Sequence, residues 1–305
     1  VSAHLSYLEA VVVGAFQGVT ELFPVSSLGH SVLVPALIGG QWAQDLNVST
    51  PESPYLAFIV GLHVATALAL LTFFWRDWLA IVAGFATSLR YRRITTPAER
   101  LAWLIIVATI PVGISGLALE HLFRTTLGRP VPAAVFLTVN GVILYAGERL
   151  RQRATRAAQF AAISEPRSAG TLTAGDDRIS ALPMRQGLVV GSAQVLALLP
   201  GISRSGVTMV AGLSRGLSHE DAARFSFLLA TPVILAAGVL KIPDLFGPLG
   251  AGIQSQVLVG SLASFVAAYL AVRFLTRYFQ TRTLTPFAVY CTLAGLGSLA
   301  WLTLR

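Results

Sequence analysis

Apolar residues along this chain fall into long blocks. Six of them, Tyr55–Trp75, Leu101–Leu119, Val131–Ala146, Arg224–Leu240, Ser255–Val272 and Pro286–Leu304, read as helices that cross a bilayer, for which about 20 apolar residues suffice. The first ends in Trp75-Arg76-Asp77-Trp78, an aromatic and charged belt of the kind found at the membrane surface. Residues 79–89 are apolar but short, and read as an interfacial segment or a continuation of the helix. Pro111 lies inside the second block.

Two further apolar stretches are interrupted from within. Leu5–Phe23 is broken by Pro24-Val25-Ser26-Ser27-Leu28-Gly29-His30, and Ser31–Gly40 returns. Gln186–Leu199 is broken by Pro200-Gly201-Ile202-Ser203-Arg204-Ser205-Gly206, and Val207–Leu217 returns. The returning runs are too short to cross. Each pair therefore predicts a re-entrant helix hairpin, with irregular backbone at membrane depth only where it lines a cavity. Gln41–Pro54 reads as a loop, Glu120–Pro130 as a turn, and Glu148–Arg185 as a long polar loop whose 160–180 portion is mobile.

Composition agrees. The chain has 305 residues, 54% hydrophobic and 12% charged, with a mean hydropathy of +0.70; a soluble domain carries about 25% charge. The net charge of +8 would suggest nucleic acid in a soluble protein. Here the arginines gather at 76–100, 146–185 and 273–285, which reads as cytoplasmic placement and no nucleic-acid partner. The single cysteine, Cys291, excludes an intrachain disulfide and a zinc cluster. The first apolar run lacks a basic leader and holds Gln17 and Glu21, so it reads as structure rather than a signal peptide.

Following the crossings, the first hairpin enters from outside and the second from inside. The fold expected is an all-α polytopic membrane protein with an inverted-topology repeat, each half a re-entrant hairpin plus three spans. The first repeat is 1–150, the basic cytoplasmic loop 151–185 and the second repeat 186–305. An offset of 177 aligns Gly14 with Gly191, Gln17 with Gln194, Leu22 with Leu199, Ser26 with Ser203 and Gly29 with Gly206. Paired broken helices of this kind place a site near the midplane.

The chemistry sits in the breaks. An arginine at membrane depth implies a partner or ligand, and Arg204 with backbone N–H groups at a restarted helix suits phosphate oxygens. If the hairpins meet, Gln17, Glu21, Ser26, Ser27 and His30 converge with Ser203, Arg204, Ser205 and Thr208. Gln17 and Glu21 share a helix face. Serine beside an imidazole and a carboxylate fits an activated nucleophile. The plainer alternatives are that Ser26 and Ser27 cap the returning helix, that His30 is a structural hydrogen-bonder, and that Arg204 faces an ion pair at a kink. His63 and Thr66, one turn apart, read as cavity lining; His4, His121 and His219 carry no assignment.

Gln17-Gly18-Val19-Thr20-Glu21 resembles an (E/Q)xxxE motif, Pro24 to His30 a PVSSxGH segment, and Pro200 to Thr208 a PGxSRSxxT motif. Together, over the whole chain, they resemble the undecaprenyl-pyrophosphate phosphatase family of the bacitracin-resistance type. The resemblance implies a multi-pass enzyme of the bacterial inner membrane. It would remove the terminal phosphate of undecaprenyl pyrophosphate, with a divalent cation, Mg²⁺ or Ca²⁺, and a site opening on the external face. The product is the lipid carrier for cell-wall polymers. Many members have Glu where this chain has Gln17, and Thr where it has Leu28. A neutral Gln17 cannot be a general base, and metal ligation by Gln17 and Glu21 loses one charge.

The expected mechanism has Ser27 as nucleophile and Glu21 and His30 as proton handlers. Ser26, Ser203, Arg204, Ser205 and Thr208 would hold phosphate. Attack by water or by His30 is the competing route. A polyprenyl-phosphate or anion transporter is the rival function, since inverted repeats are transporter architecture; a membrane scaffold is a third. The oligomeric state, a homodimer included, is left open.

Overall fold

The structure, a computed structural model, describes residues 5–40, 46, 54–122, 127–164, 175–247 and 252–304. Among these every regular element is helical. The first hairpin is α1 (Tyr7–Leu22) and α2 (Ser27–Ile38). Then come α3 (Pro54–Phe73), α4 (Trp75–Tyr91), α5 (Pro97–Leu122), α6 (Pro130–Ser164) and the short α7 (Gly175–Ser180). The second hairpin is α8 (Met184–Ala193), a 3₁₀ turn (Gln194–Leu198) and α9 (Arg204–Ser214). Three long helices follow, α10 (His219–Phe246), α11 (Gln254–Thr281) and α12 (Thr285–Leu304).

Helix starts follow local chemistry. Ser6 and Glu9 form a reciprocal capping box on α1. Ser218 accepts from the Asp221 N–H at the start of α10, with Glu220 and Asp221 in its first turn, where carboxylates complement the helix dipole. Among the described residues five helices, α5, α6, α10, α11 and α12, are individually long and apolar enough to cross a membrane. A sixth crossing requires α3 and α4 together, which are bent by 86°. The segment 79–89 is therefore a separate helix turned sharply from α3, with Arg76 over the Trp75 ring at the bend.

One expectation changes. Helix α6 continues to Ser164, where the polar pattern reads as loop. Alanine, arginine and glutamine are strong helix formers, so the helix runs on after its apolar part ends. Residues 165–174, most of the loop at 41–54 and part of the turn at 120–130 lie outside the described residues.

Packing crosses between the two halves. The α1 helix lies on α11, α8 on α5, α3 on α10 and α11, and α6 on α12. Small residues set these approaches. A Cβ at Gly14 would strike the Gly260 backbone, and one at Gly191 the Ala108 backbone. On the facing helices, Gly141 lies against Ala288 and Thr292 of α12, and Gly295 against Ala134 and Thr138 of α6. Small residues let helix backbones approach within a membrane. The core is filled by Phe58, Phe225, Phe227, Phe279 and many leucines. Leu117, Leu258, Leu262 and Leu293 face outward, as a lipid-facing surface requires.

Further along α6, buried Glu148 pairs with His219 at 2.7 Å and accepts from the Leu284 N–H at 3.3 Å. Arg178 on α7 forks onto Asp221 at 2.8 and 2.9 Å. These contacts tie α6, α7, the start of α10 and the α11–α12 turn at one end of the bundle.

Candidate active site

The two breaks are joined directly. Ser26 adopts φ +68, and its Oγ accepts from the Gly29 N–H of its own helix and from the Gly201 N–H of the other hairpin, both at 3.2 Å. Ser203 caps α9 in the same manner, accepting from the Gly206 N–H at 3.2 Å. Asn140 of α6 bridges both breaks. Its Nδ2 donates to the Pro24 carbonyl at 3.1 Å, and its Oδ1 accepts from the Ser203 N–H at 3.0 Å. Gly201, at φ +113, lies against the α6 backbone, and a Cβ on Gly29 would come within 2.7 Å of Gly201 Cα. The approach is therefore possible only with glycine at both places.

Around this junction one carboxylate gathers four partners. Glu21, in the last turn of α1, accepts from Ser27 Oγ at 2.5 Å and from Gln17 Nε2 at 3.1 Å on Oε2. Arg204 Nη2 bonds Oε1 at 3.1 Å. His63 Nε2 of α3 lies 3.4 Å from Oε2. The Glu21 and Arg204 side chains are 8% and 12% exposed, so the pair is nearly dry. Charges in such a place persist only when paired and hydrogen-bonded. The four-residue spacing of Gln17 and Glu21 on α1 puts both side chains at this point, as the sequence indicates.

The other hydroxyls are placed differently. Ser205 Oγ donates to the Phe23 carbonyl at 3.1 Å and lies 3.0 Å from Ser203 Oγ. Thr208 Oγ1 donates back to the Arg204 carbonyl at 2.7 Å. Ser26, Ser203, Ser205 and Thr208 are all buried. Their hydroxyls thus hold the backbone of the breaks, while Ser27 is partly open. His30 is close in sequence but turned away from Glu21. Its Nδ1 donates to the Ser26 carbonyl at 2.7 Å, and its Nε2 accepts from Tyr290 Oη of α12 at 2.8 Å, with the two rings stacked.

Asn140 and Tyr290 are the site residues that sequence reasoning passes over, and His63, read from the sequence as cavity lining, lies against Glu21. Asn140 had a usable signal, being an amide inside an apolar span. Tyr290 had none beyond its position in the last span. Among the described residues no group of three or more His, Cys, Asp or Glu could hold a metal ion. The donor set around Glu21 is cationic or neutral, which suits anionic oxygens.

A family model described as "Bacitracin resistance protein BacA" matches residues 10–297. The chain is 74% identical over 304 residues to a protein of Mycolicibacterium paratuberculosis named undecaprenyl-diphosphatase, covering all of both chains. It is 73% identical to one of that name from Mycobacterium avium, again over the full length of both. A third, from Granulibacter bethesdensis, is 42% identical over 98% of this chain and 97% of its own. With the family model matching residues 10–297 and relatives aligned from end to end, this chain belongs to the bacitracin resistance protein BacA family.

Proposed function

We propose that the protein hydrolyses undecaprenyl pyrophosphate to undecaprenyl phosphate and inorganic phosphate in the bacterial inner membrane. The observation that carries this is the Ser27–Glu21–Arg204 constellation, a hydroxyl, a carboxylate and a guanidinium in hydrogen-bond reach where two broken helices meet. The names of its full-length relatives support the substrate. Recycling of the lipid carrier for cell-wall synthesis, and resistance to bacitracin, follow from that activity.

Phosphoryl transfer asks mainly for positioning and charge stabilisation. Arg204 and the first-turn N–H groups of α2 and α9 receive the phosphate oxygens. Ser27 Oγ attacks the terminal phosphorus. The bond from that phosphorus to the bridging oxygen breaks, and undecaprenyl phosphate leaves with the electron pair. The hydroxyl proton passes to Glu21. Water then attacks the phosphoserine, the phosphorus–Oγ bond breaks, Ser27 recovers a proton and phosphate departs carrying the other. His30, tied to Ser26 and Tyr290, holds the start of α2.

A divalent cation, Mg²⁺ or Ca²⁺, fits only as a companion of the substrate. Such ions are commonly held by one or two carboxylates plus phosphate oxygens, and here Glu21 is the one carboxylate, with the Gln17 amide beside it. When bound it would neutralise charge on the diphosphate.

The same reading includes an inverted repeat. The offset of 177 that aligns the breaks carries α2 (Ser27–Ile38) onto α9 (Arg204–Ser214), and the Ser26 cap onto the Ser203 cap. Ala134, Thr138 and Gly141 on α6 recur as Ala288, Thr292 and Gly295 on α12, and the two sets face each other. The basic segments lie in the cytoplasm, and the site opens to the external side.

The test is phosphate release from undecaprenyl pyrophosphate by the purified protein in detergent. Release is expected from the wild type and not from Ser27→Ala, and acid quenching should trap a phosphoserine. Retained lipid binding without release would favour a carrier; release without any phosphoserine would favour water as nucleophile.

A further inference from the structure

His63 sits in the first helix after the hairpin, on an otherwise apolar stretch, yet its ring points into the cluster around Glu21. Its Nδ1 lies 2.9 Å from the Ile59 carbonyl of its own helix. A carbonyl only accepts, so Nδ1 carries the proton. That leaves Nε2 with a lone pair, and Gln17 Nε2 lies 3.2 Å from it while also donating to Glu21. The two amide hydrogens of Gln17 thus serve both groups and fix the tautomer. Between His63 Nε2 and Glu21 Oε2, 3.4 Å apart, there is one place for one proton.

Exposure gives this arrangement a direction. The Glu21 side chain is 8% exposed and that of His63 is 29% exposed. Ser27, Glu21 and His63 run from the nucleophile through the dry carboxylate to the more open ring. The charged groups facing His63 are Glu21 from α1 and Arg204 from α9. His30 differs in its neighbour, because its Nε2 meets the Tyr290 hydroxyl rather than a carboxylate.

We propose that His63 is a positioning and proton-relay residue that takes up the Ser27 proton from Glu21 and passes it out of the site. This inference rests on the reading of Ser27 as nucleophile and Glu21 as its base. The step is balanced: Ser27 gives one proton to Glu21, Glu21 gives one to His63 Nε2, and no other bond changes. In the second stage Glu21 takes a proton from the incoming water and returns it to Ser27 Oγ as the phosphorus–oxygen bond breaks, so His63 carries a proton out only in the first stage. The general position of the imidazole at the edge also explains why a neutral Gln17 suffices in this chain. The amide supplies two donors, and the proton acceptor is across the cleft on α3.

The experiment compares pH–rate profiles of wild type, His63→Gln, His30→Gln and Ser27→Ala on undecaprenyl pyrophosphate in detergent. Glutamine can still donate to Glu21 but cannot take a proton. For His63→Gln the expected result is a kcat lowered by about 100-fold, the low end of what a positioned proton acceptor contributes. KM should stay within about threefold, and the limb in which the rate rises with pH should disappear. His30→Gln should retain that limb. A His63→Gln enzyme with wild-type kcat and an intact limb overturns the proposal, as does loss of the limb in His30→Gln alone. Activity in Ser27→Ala would instead overturn the nucleophile reading on which it rests. A second readout does not depend on turnover. In protein carrying ¹⁵N-labelled histidine, the signal absent from His63→Gln should move when Glu21 is changed to Gln. No movement refutes the contact even if a variant is poorly active.

Discussion

Ser26 holds a backbone angle that side chains other than glycine seldom adopt, φ +68. It is worth its strain, about 1–3 kcal/mol, because its hydroxyl oxygen receives one N–H from each hairpin. Ser26→Ala keeps the strain and strands two buried donors. We expect it to lower stability by about 1–3 kcal/mol, visible as a lower melting temperature in detergent, and Ser26→Gly should lose less because the backbone relaxes. Arg204 answers to a different measurement. Removing it leaves Glu21 as a buried charge without its cation, so Arg204→Ala should abolish phosphate release and also lower stability. Arg204→Lys keeps the charge but not the fork, and should recover stability more than activity. Residues of this kind were legible in the sequence because polar groups inside apolar blocks need a reason. Glu21, Ser27 and Arg204 stand out on that ground alone. His63 was legible only as cavity lining, because a single histidine among apolar neighbours gives no sign of a carboxylate 42 positions away in the chain. The roles of Ser26, Ser203, Ser205 and Thr208 were half legible. Residue type marked them as polar, but only geometry shows the hydroxyls spent on backbone groups.

At the scale of elements, the spans were readable because bilayer thickness sets helix length. The continuation of α6 to Ser164 was not. Once a helix leaves the membrane its apolar signal stops, while alanine and arginine keep it helical. The sharp turn between α3 and α4 was half visible, as an aromatic and charged belt followed by a short apolar segment. Helix contacts were invisible, since they depend on which small residue meets which backbone. They give a paired prediction. Gly14→Ala and Gly191→Ala place a methyl against a neighbouring backbone, at Gly260 and Ala108 respectively. Each should destabilise by about 1–3 kcal/mol, the usual result of overpacking. Gly116→Ala and Gly297→Ala meet nothing within 4 Å. They should be neutral or stabilise by about 0.5–1 kcal/mol, since alanine is the better helix former. Thermal unfolding of the four variants, followed by size-exclusion fluorescence, checks the contrast. Equal losses in all four would mean that close approach is not what these glycines provide.

For the whole molecule, the proposed orientation rests on charge distribution, with the basic segments facing the cytoplasm. In a Cys291→Ser background, Arg93→Cys and Arg282→Cys should react with a membrane-impermeant thiol reagent only after cells are opened. Gly252→Cys should react in intact cells. The reverse pattern would invert the molecule and put the site on the other face. The exchange of partners between the halves has a consequence for how the chain is made. The surface that receives α1 belongs to α11, which begins at Gln254, roughly 230 residues after α1 ends. At a synthesis rate of about 5–20 residues per second, that is a delay of roughly ten to fifty seconds. During it the first hairpin waits in the membrane without its neighbour, and until Arg204 is made, without the cation for Glu21 as well. A chain stalled or truncated before α11 would therefore expose a polar, half-inserted hairpin. The cell's membrane quality control could recognise that exposure, so the order of birth of the helices, and not only their final contacts, sets how many copies survive.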